Sequence, residues 1–341
     1  MKGTDSPMKL IQIGAAGHYV YALASAKKYS CEMAGISFPN PEDNRGAVKS
    51  WEKYGYSPRI FDDPAAMMDE VRPDIAIINT VMGDNARYAM EALKRGISVF
   101  LEKPMATTME ELDRLESVYR EAKQKYAPEK NVCLTAMFGI DYSPAFETAY
   151  RYVQSGALGD IVLANGQKSY RMGSRAKFYS DRQRYGGTIP WVAIHAIEWV
   201  TRIGGLRPVT ATAYGSTAHN AGNGTMEAST LTLFGCEDGK MASVSADVLR
   251  PAAAPSHGDD RLRLVGSEGI LEVRGGQVIV IDKEGERLLP LVQTETELFE
   301  ELILEIRGEG QCRVRPEDGF LATRAALAAR ESEDTGRSIE V

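Results

Sequence analysis

Soft metal ligands are scarce in this chain of 341 residues, which has four cysteines and four histidines. Cys31, Cys133, Cys236 and Cys312 lie far apart, and no Cys-x-x-Cys pair occurs. That spacing argues against a disulfide framework and predicts reduced, mostly buried thiols in a cytoplasmic protein. His18, His195, His219 and His257 have no second ligand at helical or finger-type spacing, so no metal site is expected. No apolar run approaches the roughly 18 residues of a membrane span. The opening MKGTDSPMKL has no apolar signal core, so secretion is not expected either, and Met8 is the candidate start of the folded part. Long basic runs are also missing. With 40 basic against 47 acidic residues the net charge is −7, which speaks against nucleic acid or an anionic membrane as partner.

What is present is an ordinary globular composition, 43% hydrophobic and 26% charged, at a length that suggests two domains. Up to about Phe138, apolar runs alternate with amphipathic stretches. KLIQI, CEMAGISF, PRIFDD, DIAIINT, ISVFLEKP and NVCLTAMF read as strands. HYVYALASAKKY, NRGAVKSWEKYG, DPAAMMDEV, NARYAMEALKRG and MEELDRLESVYREAKQKY read as helices. DIAIINT is apolar almost throughout, as a strand covered on both faces must be. Thr107 with Glu110, or Thr108 with Glu111, offers a capping box to the last of these helices. Strands alternating with helices imply an α/β doubly wound parallel sheet over residues 1–138, with ligands bound at the carboxyl ends of its strands.

Beyond residue 138 the pattern changes. SPAFETAYRYVQSGALGD is a helix stopped by Gly156, and the chain then turns strand-like. Between STLTLF and MASVSADVL lies CEDGK, a tight turn on Asp238-Gly239. RLRLVGSEGILEVRGGQVIVIDKEGERLLPL is a meander with turns at Gly269, Gly275 and Gly285. EDGFLATRAALAARESEDTG is a closing helix, expected to pack back on the body. Residues 139–341 therefore read as an α+β domain with a largely antiparallel open sheet.

The stretch VFLEKPMATT, from Val99, raises the functional question. An apolar strand ends in Glu102, Lys103 and Pro104, and a helix follows at once. Composition alone would make Lys103 a solvated surface lysine. At the carboxyl end of a parallel strand, the same turn faces the crevice where such sheets bind ligands.

The IGAAG turn, the ALKRGISVFLEKPMA block, the SPAF helix with SGALGDI, the GG…H…W segment and the closing ESEDTGRSIEV together resemble the glucose–fructose oxidoreductase/inositol dehydrogenase family (Gfo/Idh/MocA). The resemblance covers nearly the whole chain. It implies a Rossmann domain holding NAD or NADP and an open C-terminal sheet that covers the nicotinamide. It also implies homodimers or homotetramers formed through that sheet. The implied reaction is hydride exchange between the nicotinamide and a carbinol of a sugar, a polyol such as inositol, or a related hydroxy compound. Two further readings stay open. One is a non-catalytic NAD(P)- or sugar-binding regulator; the other is redox-assisted elimination or glycoside cleavage with tightly bound NAD.

Carried over residue by residue, the resemblance makes Gly14 the first glycine of the dinucleotide fingerprint. Ala16 and Tyr19 take the other two positions, with Gly17 and His18 between them, and the turn is expected to bring backbone N–H groups to a phosphate. At the end of the second strand Ser37 or Phe38 replaces the usual acid, with Asp43 and Arg45 a few residues on. That gives a slight lean to NADP. Thr80 matches a turn near the nicotinamide ribose, and Asn79 reaches the same place; Val81 and Asn85 stand where the family has proline and histidine. Lys103 is implied to point into the active site, with Pro104 after a cis bond, and Glu102 to accept from the ribose or to orient Lys103. His195 is the candidate acid/base. Trp191 replaces the family's aspartate and is a candidate floor for a sugar ring. Glu198, three residues after His195, is placed to pair with it. Tyr170, Arg171, Arg175, Arg182, Arg184 and Tyr185 are candidates for a polar pocket or an acidic substrate, with Tyr170, Arg182 and Tyr185 foremost. His219 and His257 read as surface residues.

Overall fold

Helical crossovers return each apolar run of the first half to the same end of one sheet, so the runs pair in parallel. β1 (Lys9–Ile13), β2 (Glu32–Ser37), β3 (Arg59–Phe61), β4 (Ile75–Ile78), β5 (Ser98–Leu101) and β6 (Leu134–Ala136) stand in the order β3-β2-β1-β4-β5-β6. The computed structural model describes residues 7–127 and 129–341. Residues 1–6, part of the opening read above for a signal core, lie outside the described residues. Every ladder of this sheet is parallel.

Helices α1 (Leu23–Lys28), α2 (Ala47–Lys53), α3 (Pro64–Val71), α4 (Asn85–Lys94) and α5 (Met109–Tyr126) supply the crossovers. Of the two capping boxes offered to α5, the one formed is Thr108 with Glu111: the Thr108 hydroxyl accepts the Glu111 N–H at 3.2 Å. Trp51 on α2 is fully buried and donates to the Gln12 carboxamide of β1 at 2.6 Å. Gln12 in turn donates to the Gly14 carbonyl at 2.8 Å, so a core tryptophan fixes the turn that leaves β1.

The second unit holds α6 (Pro144–Gln154), β7 (Ile161–Tyr170), α7 (Arg182–Tyr185), α8 (Ile194–Glu198), β8 (Pro208–Ser216), β9 (Ser229–Cys236), β10 (Met241–Asp247), β11 (Gly258–Gly266), β12 (Gly269–Arg274), β13 (Gln277–Asp282) and β14 (Gly285–Leu288). Apart from the parallel β7–β10 pair, its ladders are antiparallel. One face is covered by the helical stretch that carries α8. Gly166 of β7 allows the close approach, since a Cβ there would lie 3.1 Å from the Ala196 methyl. The β9–β10 turn uses positive φ at Asp238 and Gly239 (56° and 72°), as Asp-Gly hairpins require.

The chain then departs from the sequence-based division. Thr296–Gly319 belongs to the first unit, and the second comprises Phe138–Glu295 with Phe320–Val341. The returning helix, α9 (Leu298–Arg307), stacks Phe299 on Phe100 of β5 at 5.0 Å. Glu300 and Glu297 bind Lys28 (2.7 Å) and Ser25 (2.9 Å) of α1. Its sequence, LFEELILEIR, is amphipathic, and amphipathicity does not say which sheet a helix will join. The closing helix, α10 (Pro316–Thr335), brings Ser332 to accept the Ala213 N–H of β8 at 3.0 Å, and β15 (Ile339–Glu340) adds to the same strand. The nine strands run β14-β13-β12-β11-β7-β10-β9-β8-β15. All four cysteines are free and buried, and among the described residues no helix is long and apolar enough to cross a membrane.

Candidate active site

β5 delivers Glu102, Lys103 and Pro104 to the carboxyl end of the parallel sheet. Glu102 is 1% exposed and Lys103 3%, and the Lys103–Pro104 peptide is cis. Asn85, at the start of α4, clamps this turn: its Nδ2 donates to the Glu102 and Pro104 carbonyls, both at 3.1 Å. The Thr80 hydroxyl donates to Asn85 Oδ1 at 2.9 Å and holds the amide in place. Asn85, at the position where the family has histidine, is therefore a structural member of the site.

A buried carboxylate needs donors. Glu102 receives the His18 N–H at 2.5 Å, Asn79 Nδ2 at 3.0 Å and the Lys103 N–H at 3.1 Å, and His18 Nδ1 stands 2.9 Å from both its oxygens. Burial works to raise the Glu102 pKa. The His18 imidazole and N–H, with Lys103, outweigh it and hold the carboxyl below its ordinary range. Glu102 is thus an internal anion that ties the glycine turn to the Lys103 backbone.

That role requires a glycine beside the carboxylate. Gly14 has φ +74°, and a Cβ there would fall 2.5 Å from the Asn79 carbonyl. At Gly17, between the fingerprint positions Ala16 and Tyr19, a Cβ would fall 2.0 Å from Glu102 Oε2, so this glycine makes room for the carboxylate. Tyr19 is buried, its hydroxyl 3.2 Å from Ser50 Oγ. The expected presentation of backbone N–H groups is only partial. Gly14 donates to the Ser37 carbonyl, Ala15 to Asp43 Oδ1 and Ala16 to the Asn79 carbonyl, at 2.8, 3.2 and 2.7 Å. The segment that follows begins as a 3₁₀ turn over Tyr19–Ala22, so no α-helix N-terminus points from this loop. Among the described residues the Gly17 N–H has no acceptor.

The residues nonetheless fit a dinucleotide. Among the described residues the buried Ser37 hydroxyl and Asn79 Oδ1 have no partner, and they sit at the carboxyl ends of β2 and β4, the strands flanking β1. A dinucleotide lying across the switch point between β1 and β4 would supply what both lack. Asp43 is not free to take ribose hydroxyls: it is buried and accepts the Ala15 and Asn40 N–H groups, with burial pushing its carboxyl above the usual range. Arg45 instead places its guanidinium 5.2 Å from the Phe38 ring, just past Ser37.

In the second unit, His195 lies on α8, flanked by π-helical turns at Ile189–Ala193 and Trp199–Ile203. Such turns are frequent at functional sites. His195 is 3% exposed and meets Phe138 edge-on at 5.9 Å. Trp191, 5% exposed, is surrounded by rings: Tyr179 at 4.4 Å, Tyr170 and Tyr185 at 5.9 Å. The Arg175 guanidinium stands 4.9 Å from Trp191. His257 is exposed, as read from the sequence, but it also stacks on Tyr170 at 5.5 Å.

Three polar candidates are committed elsewhere. The Tyr185 hydroxyl donates to Glu227 Oε2 at 2.6 Å. Arg182 pairs with Glu227, Asp334 and Glu333 at 2.7, 2.9 and 3.2 Å. Glu198 accepts from Arg202 Nε at 2.6 Å, and Arg202 also binds Asp141, so the spacing that suggested a pair with His195 serves Arg202 instead. Burial, then the Asp141 charge, push the Glu198 carboxyl well above its ordinary range. Sequence reasoning missed Tyr179, which carries no signal beyond its aromatic type in an Arg/Tyr-rich loop, and Asp141, which only the folded chain brings to Arg202.

Residues 11–129 match a family described as an oxidoreductase family with an NAD-binding Rossmann fold, and residues 146–272 match the GFO/IDH/MocA C-terminal domain. A solved structure from Thermotoga maritima, assigned only to the oxidoreductases, is 42% identical with a TM-score of 0.93, covering 98% of this chain and 100% of that one. D-Glucoside 3-dehydrogenase of Escherichia coli (strain K12) is 26% identical over 199 residues, 57% of this chain and 53% of that protein. Glycosyl hydrolase family 109 protein 2 of Akkermansia muciniphila is 27% identical over 173 residues, 48% and 34% of the two. The match thus spans from a third to about half of the length of these two curated relatives.

Proposed function

Because the chain belongs to the Gfo/Idh/MocA family of NAD-binding oxidoreductases, we propose that it exchanges hydride between a nicotinamide cofactor and a carbinol of a sugar or polyol. The observation that carries this reading is the buried Glu102–Lys103–Pro104 turn at the carboxyl end of β5, clamped by Asn85, Asn79 and His18. The cofactor, when bound, supplies the hydride acceptor. Lys103 stabilises the negative charge that grows on the carbinol oxygen. His195 takes the hydroxyl proton, and Glu102 keeps the Lys103 backbone in place. Trp191 and Tyr170 offer faces to the C–H side of a sugar ring. The orphaned Ser37 hydroxyl, the committed Asp43 and the nearby Arg45 favour NADP over NAD.

The test is to mix the purified protein with NAD⁺ or NADP⁺ and a panel of sugars, sugar acids and inositols, following nicotinamide absorbance. Growth of reduced cofactor with at least one compound, at lower cofactor concentration for NADP⁺, is expected. Tight cofactor binding with no reduction across the panel would favour the regulator instead.

The similarity to a protein named as a glycosyl hydrolase supports a second reading, glycoside cleavage assisted by a retained NAD. It predicts cofactor carried through purification, and aglycone release from an aryl glycoside without net reduced cofactor. Assembly through the open sheet is also proposed: Tyr214, Leu231, Leu233 and Met241 leave a large apolar surface exposed on β8, β9 and β10. A monomeric mass by light scattering would reject it. The four free, buried thiols suit a reducing, cytoplasmic compartment.

A further inference from the structure

The stretch between β7 and α8 carries cations whose compensation is uneven. Arg182 is surrounded by three carboxylates. Arg171 and Arg175 have none among the described residues. Arg175 donates from Nη2 to the Arg171 carbonyl at 3.3 Å, and among the described residues its buried Nε has no partner. Arg171 donates to the Ala254 carbonyl, and its Nε is likewise buried and unpartnered. Asp260, the acid beside Tyr170, is bound through both oxygens to Lys168 at 2.8 Å.

Partly buried charges are normally paired, because desolvation without a counter-charge is costly. Here the Arg175 guanidinium is set among ring faces, 4.9 Å from Trp191, 5.3 Å from Tyr170 and 5.7 Å from Tyr179. Stacking of this kind holds a guanidinium while leaving its N–H edge open to an acceptor such as a carboxylate or phosphate. The same rings suit the C–H face of a sugar. Trp191 precedes His195 by four residues on one helical stretch, so the box and the proposed proton shuttle share an element.

We propose that Arg175, in its box of Trp191, Tyr170 and Tyr179, is the receptor for the acidic group of an anionic sugar, a carboxylate or a phosphate. This rests on the sugar-oxidoreductase reading and narrows its substrate class.

The experiment titrates the full chain, saturated with NADP⁺, with D-glucuronate, D-glucose 6-phosphate and D-glucose, following tryptophan fluorescence for binding and nicotinamide absorbance for turnover. At least one anion should bind about tenfold or more tighter than glucose, a difference of about 1.4 kcal/mol, and more weakly as salt is raised. A preference for glucuronate assigns a carboxylate site, and one for the phosphate ester a phosphate site. Arg175→Met should bring the anion down to the level of glucose. Arg175→Lys should keep part of the preference, with both variants melting near wild type. Equal binding of glucose and both anions, an anion preference untouched by Arg175→Met, or no anion binding at all would overturn the inference. Turnover of glucose without anion preference would overturn it while leaving the oxidoreductase reading standing. Arg175-dependent anion binding without reduction of the cofactor by any compound would do the reverse.

Discussion

Two regions of the molecule, one in each unit, treat buried charge in opposite ways. Around Glu102 an anion is met by four donor groups, two from His18 and one each from Asn79 and Lys103, and its pKa falls despite burial. Around Arg175 a partly buried cation meets ring faces and one carbonyl, and among the described residues no acid. A satisfied network keeps its shape without a ligand, whereas an unsatisfied one is completed by it. The first region is therefore expected to hold its shape with or without a ligand, and the second to take up an acceptor.

Substitutions can break this contrast, beginning with the largest effect. Lys103→Met should lower kcat by about 10²–10³-fold while cofactor affinity, measured by fluorescence titration, stays within about threefold, since the variant keeps the backbone N–H that donates to Glu102. A large loss of affinity with turnover preserved would make Lys103 a cofactor clamp. His195→Asn should lower kcat by about 10²-fold and remove the proton-dependent limb of the pH–rate profile; an unaltered profile assigns the proton to another group.

Gly17→Ala probes the network itself. Its methyl would lie 2.0 Å from Glu102 Oε2, so the carboxylate must leave its donors. Urea unfolding should report a loss of about 2–3 kcal/mol, with weaker cofactor binding. Stability equal to wild type would mean that the turn is not held by Glu102. The smallest effect lies at Glu333, in the carboxylate cluster around Arg182. Burial, then the Glu227 charge, raise the Glu333 pKa to about 7. A carboxyl whose folded pKa is raised binds its proton more tightly when folded, so stability is greatest below its unfolded pKa and falls as pH rises toward about 7. Glu333→Gln should remove that decline, on the order of 1 kcal/mol between pH 5 and 7.5; an identical pH dependence in the variant would exclude Glu333 as its source.

Much of the fold was legible because its signals are local. Period and turn residues mark the six parallel strands, and the Glu102–Lys103–Pro104 turn is contiguous in sequence. What escaped depends on distant partners. α9 joins the first unit through Phe299 on Phe100, a pairing that no local pattern encodes. The spacing of His195 and Glu198 is correct for a helical pair, yet Arg202 lies on the same face and takes the carboxylate. Arg182 was read as the foremost of several arginines, and only the carboxylates gathered around it in the fold separate it from Arg175.

The central claim is tested most directly by isotope transfer. A sugar of the panel that reduces the cofactor, carrying deuterium on its reacting carbinol carbon, is incubated with the protein and oxidised cofactor, and the nicotinamide is analysed by mass spectrometry and NMR. The account predicts that the deuterium moves to carbon 4 of the nicotinamide without dilution by solvent. Deuterium retained on the sugar, or released to water with the cofactor unlabelled, would contradict it.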